Sequence, residues 1–221
     1  MRVIDKVEFS DTLFQITLDP EHLASTFIVP GQYVVITMEN QKPLYLVIAS
    51  LLGEKQWRFI VRDSNPATHA LKELPIGSSV AVSEAQGKGY PLTKLVDNNV
   101  ILFTAGTGLA AIYSVVGEFL KNRSNFKEII LMHGSRFEAD LPFRQEMLNW
   151  VKNDLQVYIT LSQPSDSWAF YEGHVQDILK HEALDLSSFS SLICGPNPMI
   201  KSVTEVACAC GLSKDKIFTN Y

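Results

Sequence analysis

The rhythm of apolar and polar positions changes once along this chain. Up to about residue 95, apolar residues come in short alternating runs at 3–9, 13–18, 33–38, 44–50, 57–61 and 79–82. Turn residues separate them, among them Asp19-Pro20, Pro30-Gly31, Gly53 and Pro75-Ile76-Gly77. Short strands so punctuated predict a small antiparallel barrel. A single brief helix interrupts them, starting at Asn65-Pro66, a capping residue followed by proline at the first helical position, and continuing through Leu71 and Leu74.

From Asn98 onward the pattern alternates strand with helix. Strands are expected at 100–104, 128–133, 155–160, 191–194 and 216–218. Helices are expected at 109–121, at 142–151 with Phe143, Met147, Trp150 and Val151 on one face, at 175–181, and at 198–210 with Gly211 closing the last. Such alternation predicts a parallel, doubly wound sheet whose ligands bind beyond the carboxyl ends of its strands. The predicted fold is therefore β followed by α/β, an antiparallel barrel over residues 1–96 and a Rossmann-like domain over 97–221, with no internal repeat.

Composition narrows the function classes. In 221 residues, 46% are hydrophobic and 19% charged, enough for a core without disulfides or metal. The net charge of −5 and the lack of a Lys/Arg cluster argue against nucleic acid and against an anionic membrane surface. Three cysteines cannot pair completely, which points to a reducing cytoplasm. The first residues, MRVIDKVEFSD, lack the apolar core of a signal peptide and read as a strand. Residues 100–117 approach the ~18 uncharged positions of a membrane span, but a glycine turn in their middle would leave backbone groups unsatisfied in lipid, so no membrane insertion is expected. Cys208 and Cys210 point to nearly opposite sides of a helix and make no metal pair. The five histidines show no metal-ligand spacing, and no Gly-x-Ser-x-Gly occurs, so a serine hydrolase has no support.

The stretch VILFTAGTGLAAIYSVV, residues 100–116, carries the candidate chemistry. A strand passes through Gly106, Thr107 and Gly108 into a helix opening at Leu109. Unpaired amides and the positive end of the helix dipole make such a turn a phosphate site. The glycines let backbone approach an anion, Thr107 is expected to cap the helix, and Ala110 and Ala111 allow close packing.

Three features in order, PGQYVVI at 30–36, TAGTGLAA at 104–111 and CGPNPM at 194–199, resemble the ferredoxin–NADP reductase-like superfamily, in which an FAD-binding barrel precedes an NAD(P)-binding domain. The resemblance spans essentially the whole chain. It implies that Gly106, Thr107, Gly108 and the adjoining Leu109 cradle a dinucleotide's pyrophosphate. It places Gly134, Ser135 and Arg136 of the HGSRFEAD segment near the adenosine ribose, where the Arg136 fork could pair with a 2′-phosphate. Cys194, Gly195, Pro196 and Asn197 would meet the nicotinamide, with Asn197-Pro198 starting a helix. The terminal Tyr221 would shield the flavin ring, with frayed terminus as the alternative. Asn65 and Thr68 match the segment that offers FAD's pyrophosphate a helix N-terminus, although Asn65 departs from the family's glycine. The implied cofactors are NAD(P)H and FAD, and the implied partner is a small acceptor or an electron-acceptor protein; the oligomeric state is not implied.

One family signature is missing. Where relatives carry Arg-x-Tyr-Ser to hold FAD, alignment on Ile48-Ala49-Ser50 gives Leu44, Leu46 and Val47. A shifted alignment offers Lys42 and Tyr45, residues on opposite strand faces unless a bulge intervenes. Losing a charged hydrogen bond (~1.5–3 kcal/mol) and a ring stack (~0.5–1.5 kcal/mol) removes about 2–4 kcal/mol, roughly thirty- to a thousandfold in FAD affinity. Two functions follow: a flavin-dependent NAD(P)H oxidoreductase with Cys194 and Tyr221 at the meeting point and Tyr45, Leu46 and Val47 against the flavin, or a non-catalytic nucleotide-binding or electron-transfer subunit that has lost tight flavin binding.

Overall fold

The computed structural model describes residues 1–220. Among the described residues twelve strands form three sheets. Strands β1 (Arg2–Ser10), β2 (Leu13–Asp19) and β5 (Trp57–Arg62) make one antiparallel sheet; β4 (Leu44–Val47), β3 (Tyr33–Thr37) and β6 (Ala81–Val82) make another. Their inward faces, with Phe14, Ile16, Leu18, Ile36, Trp57 and Phe59, share a core with Leu71 of helix α1 (Pro66–Glu73).

The expected strand at 79–82 is shorter because its residues serve two sheets. Ser79 bridges to Arg2 and the Val80 amide bonds the Met1 carbonyl, whereas Ala81 and Val82 pair with β3. The stretch expected as strand to residue 50 stops pairing with β3 at Val47, and Ala49 turns its amide to Arg58 of β5 at 2.8 Å. Both crossings tie the two sheets into the barrel-like arrangement.

The parallel sheet runs β10-β9-β8-β7-β11-β12, from β7 (Asn99–Ala105), β8 (Ile129–Ser135), β9 (Gln156–Leu161), β10 (Tyr171–Glu172), β11 (Phe189–Cys194) and β12 (Ile217–Phe218). Val100 and Leu102 of β7 pack beneath α2 (Leu109–Lys121) and α3 (Arg144–Lys152). Ile101 and Phe103 face the other way, toward α4 (Val175–Glu182) and α5 (Asn197–Ala209). A sheet buried on both faces accounts for strands that read as continuous apolar runs. The order reverses between β7 and β11, the topological switch where open α/β sheets bind ligands.

Three local expectations need correction. Helix α3 starts at Arg144 because Phe143 takes a left-handed conformation (φ 60°), and Val151, expected on the buried face, is 51% exposed. Strand β10, two residues long at the sheet edge, is too short to carry a periodic signal. Thr107 does not cap α2: residues Gly106–Gly108 form a 3₁₀ turn that runs straight into the helix, and no side chain caps its start.

The two parts share a continuous core, since Leu13 and Ile60 point away from the barrel and join Leu109, Ala111 and Leu131. Polar contacts cross the same boundary. Arg58 lies over the Tyr113 ring of α2 at 4.6 Å, and the Tyr90 hydroxyl donates to the Ile193 carbonyl at 3.2 Å. Among the described residues, no helix is long and apolar enough to cross a membrane, and no cluster of three or more His, Cys, Asp or Glu could hold a metal.

Candidate functional site

The two glycines of the GTG turn do different work. Gly106 has φ +55° and open space where a Cβ would stand, so its backbone faces a cleft. At Gly108 a Cβ would come within 2.3 Å of the Cys194 carbonyl oxygen. Gly108 therefore packs the start of α2 against the end of β11, whereas Gly106 is left open to the cleft.

Two adjoining clefts open at this turn. The first, about 460 Å³, lies beyond the ends of β7, β8 and β11 and is bordered by Gly106, Gly134, Ser135, Arg136, His174 and Pro196. Gly134 is needed there because a Cβ would meet Val175 Cγ2 at 2.7 Å. Ser135 is buried and donates to the Asp140 carbonyl at 3.0 Å, bracing the loop that presents the exposed Arg136. The second cleft, about 440 Å³, sets Tyr45, Leu46, Val47 and Ile60 of the barrel against Gly106–Gly108, Cys194, Gly195 and Pro196. Arg62 borders both, reaching across to Asp140 at 3.0 Å and to Thr12 Oγ1 at 3.0 Å, while Ser10 Oγ donates to the other Asp140 oxygen at 2.7 Å.

Cys194 sits at the back of the second cleft. Burial pushes its thiol up to about 11, against a weaker opposing hydrogen bond from Tyr90, so the sulfur is a neutral thiol at physiological pH. Its Sγ lies 4.0 Å from Asn220 Oδ1, and Asn220 Nδ2 donates to the Gly31 carbonyl at 3.1 Å. The end of the described chain thus joins the cysteine to the PGQ turn of the barrel. Within that turn Gln32 Oε1 accepts from the Ile28 and Val29 amides, both at 3.0 Å, and Gln32 Nε2 donates to the Gly87 carbonyl at 3.3 Å. The motif's glutamine is a brace. Beneath the other end of the turn, His133 is fully buried against Thr104 Oγ1 at 2.8 Å, and burial lowers its pKa to about 4.

Residues 102–205 match the family model of the oxidoreductase NAD-binding domain. The gamma subunit of sulfhydrogenase 2 from Pyrococcus furiosus is 24% identical over 98% of this chain and 81% of that protein. Cytochrome b5 reductase 4 of Mus musculus is 30% identical over 88% of this chain and 40% of its own length. A ferredoxin NADP+ reductase from Neisseria gonorrhoeae, solved with FAD and NADP bound, superposes with a TM-score of 0.86 over 99% of this chain and 96% of that one, at 14% identity. Residues 102–205 thus carry the pattern of an NAD-binding oxidoreductase domain, and the whole chain has the fold of the ferredoxin–NADP reductases.

The predicted site residues separate into two groups. Gly106, Thr107, Gly108, Cys194, Gly195, Pro196, Tyr45, Leu46 and Val47 come together around the second cleft, and Gly134, Ser135 and Arg136 border the first. Leu109 is buried behind the turn and Asn197 is the first residue of α5, with Pro196 and not Asn197 at its cap. Asn65 and Thr68 border neither cleft: the Asn65 carboxamide takes the Ala67 and Thr68 amides, and Thr68 Oγ1 takes the Ser64 and Asn65 amides. Tyr221 lies outside the described residues.

A nicotinamide dinucleotide fits the first cleft, where an open glycine backbone and two arginines stand on its wall. A flavin ring fits the second, whose barrel wall is apolar. The diphosphate tail of FAD finds no free amides at the start of α1, where Asn65 takes them, and no cation on β4. Sequence reasoning missed Arg62 and Asn220. Arg62 stands in an ordinary strand, and Asn220 belongs to no motif; only the meeting of distant segments gives either a role.

Proposed function

We propose that this chain is an NAD(P)H-dependent oxidoreductase that brings a reduced nicotinamide against a flavin ring and passes the electrons on. One observation carries this reading: the GTG turn and the Cys194–Pro196 loop of the α/β part stand across a single cleft from the apolar barrel wall of Tyr45, Leu46, Val47 and Ile60. A bound flavin supplies a two-electron acceptor for the hydride of the nicotinamide.

The chain's own contribution is alignment and exclusion of water. The Gly106–Gly108 backbone and the Arg62 guanidinium hold the dinucleotide pyrophosphate, while Arg136 and Ser135 receive the adenosine end. Gly195 and Pro196 bring bare backbone to the nicotinamide. Cys194 fills the space behind with a neutral, soft thiol and exchanges no proton in the working pH range. Residues 1–96 act as the flavin-facing half and 97–221 as the dinucleotide-facing half. The relatives' names, a sulfhydrogenase gamma subunit and a cytochrome b5 reductase, support a redox protein as the onward acceptor.

The test is anaerobic addition of NADH or NADPH to the purified protein with excess flavin. Loss of the visible flavin absorbance at a rate that saturates with protein-bound nucleotide is expected. Nucleotide binding without any flavin reduction would overturn the reading and leave a nucleotide-binding subunit.

A further inference from the structure

We propose that flavin is a dissociable co-substrate of this protein, recognised through its ring and not through its phosphates. The inference rests on the oxidoreductase reading and concerns the far end of the same site.

The helix that should receive a flavin phosphate is closed from within. Asn65 Oδ1 accepts the Ala67 amide at 3.0 Å and the Thr68 amide at 3.1 Å, the groups an anion would seek. Thr68 Oγ1 accepts the Ser64 and Asn65 amides, each at 3.0 Å, and donates to the Asn65 carbonyl at 2.9 Å, so its hydroxyl is also committed. Thr68 is only 6% exposed. An incoming phosphate would have to break this reciprocal box before gaining anything.

No cation compensates. Leu44, where relatives place arginine, belongs to the barrel core. Lys42 is exposed and borders neither cleft. Among the described residues around the flavin-side cleft the single cation is Arg62, which also borders the dinucleotide cleft and is held by Asp140 and Thr12. What remains for a flavin is apolar contact with Leu46, Val47 and Ile60 beside Tyr45, and this is the same for riboflavin, FMN and FAD.

The reaction then balances as a bisubstrate exchange. NAD(P)H gives up a hydride, one solvent proton joins it, and the oxidised flavin leaves as its two-electron-reduced form beside NAD(P)+. Electrons reach any later acceptor on the departing flavin.

Equilibrium dialysis of the full chain against riboflavin, FMN and FAD tests the proposal. We expect dissociation constants within threefold of one another and a protein that purifies without stoichiometric flavin. FAD bound tenfold or more tightly than riboflavin, or carried through purification at one per chain, would overturn it while leaving the oxidoreductase reading intact. Nucleotide binding with no affinity for any of the three flavins would overturn both. In Asn65→Gly, which frees the two amides with little cost to the helix, FMN and FAD should gain at least threefold over riboflavin, with circular dichroism confirming the fold. An unchanged ratio would overturn the assignment of closure to Asn65.

Discussion

Arg62, on the last position of a barrel strand, makes an ion pair at 3.0 Å with Asp140, from the loop after the second parallel strand. The carboxylate side chain is 4% exposed and the guanidinium 36%. Asp140 also accepts from Ser10 Oγ and so braces the two halves, while Arg62 also donates to Thr12 Oγ1 and borders both clefts. The two partners therefore answer differently to removal. Arg62→Ala leaves a buried carboxylate with Ser10 alone, and should lower both unfolding free energy, by about 1–3 kcal/mol, and NAD(P)H affinity, by roughly tenfold. Asp140→Ala should cost similar stability but change nucleotide affinity less than threefold, because the arginine stays available. Urea midpoints and nucleotide titrations separate the two; equal affinity losses would mean that Arg62 binds nucleotide only when Asp140 holds it in place.

His133 gives stability a pH dependence of defined sign. Its folded pKa, about 4, lies below the ordinary value of 6.5, so the unfolded chain takes up the proton first. Stability contributed by the neutral ring is present above about pH 6.5 and is lost as pH falls towards 4. Between pH 7.5 and 5 the loss is roughly 2 kcal/mol, from 1.36 kcal/mol per unit. Urea unfolding at the two pH values should show this difference, and His133→Gln should lack it. An equal loss in the variant would assign the pH dependence elsewhere.

Much of this architecture is legible from local pattern, and the remainder has a common physical cause. The parallel strands announce themselves because a sheet covered on both faces needs unbroken apolar runs, as Ile101 and Phe103 on one side and Val100 and Leu102 on the other illustrate. The GTG turn is legible because glycine solves backbone problems locally, although which glycine packs and which faces the cleft depends on where Cys194 arrives from 86 residues away (194 − 108). The Asn65 cap is readable in sequence, yet its consequence for an anion is visible only once Thr68 is seen to close the same box. Arg62 and Asn220 carry no local signal, since each acts across the join of two halves.

Cys194 should resist alkylation. With its thiol pushed up to about 11 by burial, the thiolate is a minute fraction at pH 8. Iodoacetamide at that pH should modify Cys194 only slowly although its side chain, like those of Cys208 and Cys210, is partly exposed, as peptide mass mapping would read. Prior labelling of Cys194 would contradict its seat at the back of the cleft.

Arg136 stands exposed at the rim of the first cleft beside buried Ser135. A guanidinium there matches a 2′-phosphate, which NADPH has and NADH lacks. Arg136→Ala should therefore weaken NADPH by roughly tenfold or more, a charged hydrogen bond of ~1.5–3 kcal/mol, and NADH by less than threefold. Parallel titrations with both nucleotides read the ratio. Equal losses would remove Arg136 from the 2′ position and leave it a solvated rim residue.

Gly108→Ala is the sharpest test of the switch-point geometry. A methyl group there would stand 2.3 Å from the Cys194 carbonyl oxygen and 2.8 Å from its carbonyl carbon, both rigid backbone. Relief requires α2 to move away from β11, which shifts the Gly106 backbone at the clefts and widens the gap to Gly195 at once. Gly106 offers the contrasting case, because a Cβ there meets no atom within 4 Å and the cost lies in its positive φ and in the space claimed from the ligand. Gly108→Ala should therefore lose both unfolding stability and nucleotide binding, whereas Gly106→Ala should lose nucleotide binding with a stability cost of only about 1 kcal/mol. Thermal unfolding with and without nucleotide distinguishes them: Gly108→Ala should melt earlier even without ligand, and both should lose the ligand-induced shift. A Gly108→Ala protein with wild-type melting and a wild-type shift would mean that the first turn of α2 does not meet β11 as described, and the dinucleotide site would have to lie elsewhere.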